Sequence, residues 1–152
     1  MKHKNPIDRA VAFIALWEGC SLYEYRDVAG YPTVGYGHLV DKDTERSLCQ
    51  YPISRQKALE MLYEDVRERA EQLDGLLEVE VYDNQWVALI SLLFNIGYGN
   101  FRGSTLLRKL NEGRADEASL EFPKWRRSGG EIVQGLVNRR KDERRLFDGE
   151  VV

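Results

Sequence analysis

The chain is poor in the residues that staple or anchor a protein. It has two cysteines, Cys20 and Cys49, in 152 residues, too few for a disulfide scaffold. Its two histidines, His3 and His38, stand in no zinc-like spacing with them, so no metal site is expected. No apolar run approaches the roughly 20 residues that cross a bilayer. The first residues open with cations but continue into an amphipathic stretch interrupted by Asp8 and Arg9. That pattern lacks the apolar centre of a secretory signal, and stable membrane insertion is not expected. Internal repeats and low-complexity stretches are also missing.

What is present describes an ordinary globular protein. Apolar residues make up 43% and charged residues 31%, which excludes a chain too polar to collapse. The length suits one domain, residues 1–152, able to bury its own core. The net charge of −3 conceals an uneven distribution. Residues 1–101 hold 10 basic and 16 acidic side chains, whereas residues 102–145 hold 12 basic and 7 acidic. A cationic half suits long-range attraction to an anionic polymer, but charge alone does not choose between peptidoglycan and nucleic acid.

Apolar periodicity organises the chain into helices around one irregular segment. Asn5-Pro6 reads as a helix start, with Ile7, Ala10, Val11, Ile14 and Trp17 on one face and Gly19 as the stop. From Tyr23 to about Leu48 there is no helical period. Gly30, Pro32, Gly35 and Gly37 punctuate aromatic and β-branched residues, which predicts two or three short antiparallel strands. Ser54 is the expected cap of a long helix, about 54–74, with Ala58, Leu59, Leu62, Val66, Ala70 and Leu73 inward. The segment after Asp83, from Trp86 to Phe94, is apolar on every side and reads as a buried central helix. Further helices are expected after Ser104, from Asp116 to Trp125 with a break near Pro123, and from Gly135 to Phe147.

Three side chains in and beside the irregular segment carry chemistry. Glu18 ends the first helix, where the partial negative charge of the helix terminus disfavours a second negative charge, as nearby aromatics would too, while nearby cations would oppose them. Asp27 lies in the turn beyond it, and Thr33 lies on a strand. An acid, a second carboxylate and a water-positioning hydroxyl form a set that glycoside hydrolysis uses. Each also has a plainer reading, as a solvated helix end, a turn former and a strand residue. The spacing Glu18-x8-Asp27-x5-Thr33, followed by Gly35-Tyr36-Gly37-His38, closely resembles the phage-type lysozymes, the muramidase endolysins of glycoside hydrolase family 24. Phe94-Asn95-Ile96-Gly97 with Ser104-Thr105-Leu106-Leu107 is similar to that family's second block. Trp125, Gly130, Gly135-Leu136-Val137-Asn138-Arg139-Arg140, Glu143 and Leu146-Phe147 are similar to its third.

The resemblance, running from about Ile7 to Phe147, implies a fold and an activity. The fold is α+β and mainly α: a small antiparallel β lobe joined by a long helix to a C-terminal helical lobe, the lobes being roughly 1–60 and 75–152. The activity is hydrolysis of the β-1,4 bond between N-acetylmuramic acid and N-acetylglucosamine in peptidoglycan, with inversion and without a cofactor. Glu18 is then the general acid, Asp27 the charge-stabilising carboxylate and Thr33 the residue that orients water. The resemblance puts Phe94 and Asn95 on the cleft floor, pairs His38 with Asp65, and brings Arg139, rather than Arg140, to Glu18. Leu39 is expected on the other cleft wall. Tyr25 and Tyr31, which flank Asp27, are candidate sugar contacts, and Ser104 is either a helix cap or a sugar contact. The implied setting is a monomer made in the bacterial cytoplasm and released to the wall by a separate holin. Cys20 and Cys49 are either ordinary thiols or a regulatory disulfide of the kind some relatives use. A lytic transglycosylase and a nucleic-acid-binding module built on Arg139-Arg140-Lys141 are the rival readings. Asp27 and Thr33 argue against the first, and overall acidity argues against the second, so no nucleic-acid partner is expected.

Overall fold

The computed structural model describes residues 6–40 and 50–150. Asn5, His3 and Cys49, and with them the expected Asn5 cap and any Cys20–Cys49 bridge, lie outside the described residues. Cys20 is a half-buried free thiol.

Helix α1 spans Ile7–Trp17 and buries Ala10, Val11 and Ile14. It ends one residue before Glu18, whose backbone turns extended while its N–H still donates to Ile14 O at 2.9 Å. Three short strands follow: β1 (Ser21–Arg26), β2 (Pro32–Gly35) and β3 (His38–Leu39), paired antiparallel in that order. Tyr25 faces Thr33 across β1 and β2, and Thr33 faces Leu39 across β2 and β3. Directly opposed residues share a sheet face, so Tyr25, Thr33 and Leu39 form one cross-strand row.

Helix α2 (Arg55–Leu76) starts where expected, with Ser54 Oγ accepting from the Lys57 N–H at 3.0 Å. Its 22 residues extend about 33 Å, and its buried face serves two cores in turn. Ala58 and Met61 lie against Val34, Val40 and Ile53 beneath the sheet. Leu62, Val66, Ala70 and Leu73 join the larger helical core. Leu59, expected inward, is 39% exposed, and Met61 holds the inward position. The register is set by the sheet, which needs a side chain at 61, and one turn of helix cannot present both.

The large core is built around α3 (Asp83–Ile96), on which every residue from Trp86 to Leu93 is buried. Gln85 caps its start by accepting from the Tyr82 N–H at 2.9 Å. The Trp86 indole N–H donates to Asp74 at 3.1 Å and ties α3 to α2. Although α1 precedes the sheet in sequence, its buried residues belong to this helical core. Short helices α4 (Tyr98–Arg102), α5 (Thr105–Asn111) and α6 (Ala115–Ser119) close the core, and α7 (Gln134–Phe147) lies along α3. The expected Asp116–Trp125 helix is two pieces, because Pro123 confines the second to a 3-10 turn at Phe122–Lys124. A small hairpin, β4 (Arg127–Ser128) and β5 (Glu131–Ile132), precedes α7.

At Gly35 sheet and helix approach closely. Its φ is +65°, and a Cβ there would meet Ala58 Cβ at 3.3 Å. Gly30 has a similar φ of +84° but open space around it. Gly35→Ala is expected to lower the unfolding free energy by about 2 kcal/mol or more, combining backbone strain with crowding of α2. Gly30→Ala, with strain alone, should cost about 1 kcal/mol. Urea unfolding of the two variants checks this, and equal losses would show that the sheet–helix contact yields freely.

Candidate functional site

Separate pieces of chain converge on one cleft of about 730 Å³. The first helix delivers Glu18 at its C-terminal cap. The sheet delivers the row Tyr25, Thr33 and Leu39, and the β1–β2 turn delivers Asp27. The end of α3 supplies Phe94 and Asn95, and one side of α2 supplies Asp65, Glu68 and Arg69.

Local structure fixes each group. Asp27 Oδ1 accepts from the Ala29 and Tyr31 N–H groups at 2.9 and 2.8 Å, so one carboxylate oxygen holds its own turn. The Thr33 hydroxyl donates to Tyr31 O at 2.9 Å. Its proton is therefore committed, and its lone pairs are what it offers to a ligand. The Tyr25 phenol is pushed up from its ordinary value, first by burial and then by the Glu18 and Asp27 carboxylates. It stays a neutral donor between two carboxylates.

Glu18 is anchored from behind. Arg139, only 4% exposed, donates from Nη1 to Glu18 Oε1 at 2.8 Å, while the Glu18 side chain keeps 23% of its surface open. The other oxygen, Oε2, lies 3.4 Å from where a Cβ on Gly37 would sit, and Gly37 lines the cleft. Arg140 points elsewhere, donating to Asn95 Oδ1 at 2.8 Å and to Trp125 O at 3.3 Å. His38 Nδ1 meets Asp65 Oδ2 at 2.8 Å, which ties β3 to α2 at the cleft edge.

Two expected sugar contacts do not reach this cleft. Ser104 is buried as the cap of α5, accepting from the Leu107 N–H and donating to Phe101 O. Its hydrogen and one of its lone pairs are occupied within its own turn. Tyr31 is 60% exposed and is not among the residues lining the cleft; only its backbone serves the site, through Asp27 and Thr33. Arg139 touches Glu18 rather than the cleft surface. The charged pair Glu68 and Arg69 was not expected; their place one turn along α2 from Asp65, on the same face, is the signal that marks them. Among the described residues no group of His, Cys, Asp and Glu is arranged to hold a metal ion.

The phage lysozyme family model matches residues 15–143. The endolysin of Bacillus phage PZA is 41% identical over 140 residues, covering 91% of this chain and 53% of that protein. The endolysin of Salmonella phage P22 is 38% identical over 130 residues, covering 86% of this chain and 88% of that protein. The muramidase domain of SpmX from Asticaccaulis excentricus superposes with a TM-score of 0.79 at 28% identity, over 91% of this chain and 94% of that one. The chain spans about half the length of the Bacillus phage endolysins it matches.

The His38–Asp65 contact is an edge support of the site. Asp65→Ala should lower the unfolding free energy by roughly 1–3 kcal/mol, the usual effect of removing one side of a half-buried hydrogen bond. Urea unfolding reads this directly, and an unchanged midpoint would remove the contact as a support of the sheet.

Proposed function

Because the chain belongs to the phage lysozyme family, we propose that it is an endolysin that hydrolyses the β-1,4 bond between N-acetylmuramic acid and N-acetylglucosamine, with inversion. The observation that carries this reading is the convergence of Glu18, Asp27 and Thr33 on one cleft. The chain acts as a single catalytic domain whose two lobes are joined by the 54–74 helix, works as a monomer and needs no cofactor. None of the described helices is long and apolar enough to cross a membrane. Release of the enzyme from the host cytoplasm to the wall by a separate holin, for host lysis, is part of the same proposal.

In this mechanism Glu18 transfers its proton from Oε2 to the glycosidic oxygen as the C1–O bond breaks. Positive charge that develops at the anomeric carbon is stabilised by Asp27. A water on the opposite face of the sugar attacks that carbon and gives its proton to Asp27. For the attack a water lone pair must point at carbon, so both water hydrogens need acceptors. Thr33 Oγ1 and Asp27 Oδ2 are suited to accept them, since the Thr33 hydrogen is spent on Tyr31 O and Asp27 Oδ1 is engaged by the turn. A hydroxyl that only accepts orients water better than one free to donate.

Glu18→Gln keeps the shape of the acid and removes its proton, so lysis of outer-membrane-stripped cells should fall by about 10²–10⁴. Activity within a few-fold of the parent would take Glu18 out of the mechanism. NMR of the first-formed reducing sugar, recorded before mutarotation, should show the α-anomer. A β-anomer, or a covalent adduct on Asp27, would mean retention. An anhydro sugar in the product mass spectrum would mean a lytic transglycosylase.

A further inference from the structure

Arg139 is shared between two carboxylates, and only one of them lines the cleft. Beyond its Nη1 bond to Glu18, Arg139 Nε lies 3.4 Å from Ser91 Oγ and 3.5 Å from Glu143 Oε2. Its Nη2 donates to Ser91 O and Ser91 Oγ, each at 3.3 Å. Glu143 is wholly buried. Its Oε2 accepts from the Ser91 hydroxyl at 2.6 Å and from Arg140 Nη2 at 3.0 Å, and its Oε1 lies 2.6 Å from Arg140 Nε. Burial pushes the Glu143 carboxyl up and the Arg140 guanidinium down, while each opposes the shift of the other. From the cleft inward the charges alternate: Glu18, Arg139, Glu143, Arg140. The hydrolytic steps themselves use neither of the last two.

We propose that Glu143 is a positioning residue for Glu18. Together with Ser91 it occupies the Nε side and the Nη2 end of the Arg139 fork, so Arg139 makes one hydrogen bond to Oε1 and leaves Oε2 for the transferable proton. The inference rests on the reading of Glu18 as the acid. A guanidinium and a carboxylate left to themselves favour a two-bond, fork-to-fork pair, and such a pair would occupy both Glu18 oxygens and leave neither for the sugar. Glu143 also balances charge. Without it, Glu18 becomes the carboxylate that answers two buried guanidiniums; without Arg140 the imbalance reverses.

The other charged and titratable groups facing Glu18 come from elements the variants leave alone. They are Tyr25 on β1, Asp27 in the turn, His38 on β3, and Asp65, Glu68 and Arg69 on α2. The polar residue that α3 brings to the cleft is the neutral Asn95. Their contributions cancel when variants are compared with the parent.

The test is kcat/KM against pH on purified peptidoglycan for Glu143→Gln, Arg140→Gln and the double variant, with folding checked by circular dichroism. In Glu143→Gln the high-pH limb, where activity falls as the acid loses its proton, should move down by about one pH unit. In Arg140→Gln it should move up, and in the double variant it should return near the parent. Glu143→Asp, which keeps the charge, should also keep the limb. A merely structural role would lower the rate at every pH without moving the limb. The limb and the Glu18 carboxyl titration both staying put in either folded single variant overturns the proposal, so one variant that fails to fold leaves the other decisive. A parallel ¹³C titration of the Glu18 carboxyl separates two failures. If that signal moves between variants while the activity limb does not, positioning by Glu143 stands and Glu18 is not the acid.

Discussion

The cleft depends on a contact between the two ends of the chain. Glu18 closes the first helix and Arg139 lies in the last, 121 residues apart, joined at 2.8 Å. Neither helix end could hold this geometry alone. Arg139 is fixed because α7 lies along α3, where Ser91 grips its guanidinium, and α3 is buried on every side from Trp86 to Leu93. The helical core thus reaches the chemistry through one side chain. Glu18 owes its direction to the extended turn of its own backbone after α1, and α1 in turn belongs to that same core.

The opposite wall is held independently. The sheet is small, three strands with only two residues in the last, and such a sheet is marginal by itself. It is kept in place by the first half of α2, through Val34, Ala58 and Met61, and by the His38–Asp65 contact. Because α2 continues into the large core, a single rigid element sets the distance between Glu18 and the Tyr25–Thr33–Leu39 row. The gap between Glu18 and Thr33 is therefore a property of helix packing rather than of loops.

Much of this was readable from the sequence, and for local reasons. Helix caps such as Ser54, the all-round apolar stretch of α3 and the glycine-punctuated strands are short-range signals, and the α+β, mainly α architecture follows from them. The ordered spacing of Glu18, Asp27 and Thr33 marked the cleft because all three fall within 16 residues of chain. What sequence did not reveal depends on direction or on distance through space. Leu59 and Met61 compete for one inward position that only the sheet decides. Tyr31 flanks Asp27, yet it lies just before β2, where its backbone is tied to Asp27 and its ring stays 60% exposed. The two-residue strands β4 and β5 are too short to carry a period. Ser91 and Glu143 are 52 positions apart, and a buried glutamate on a helix rich in arginine reads as a solvated face until α3 is laid against it.

The Arg140–Asn95 hydrogen bond has a consequence for recognition. An amide side chain is ambiguous: one end donates, the other accepts, and free rotation lets it read either kind of partner. Here the buried guanidinium claims the amide oxygen at 2.8 Å, so the amino end is the one left to the cleft. Asn95 thereby presents a donor rather than an acceptor to the cleft. The polarity of that point of the floor is set by an arginine that does not line the cleft.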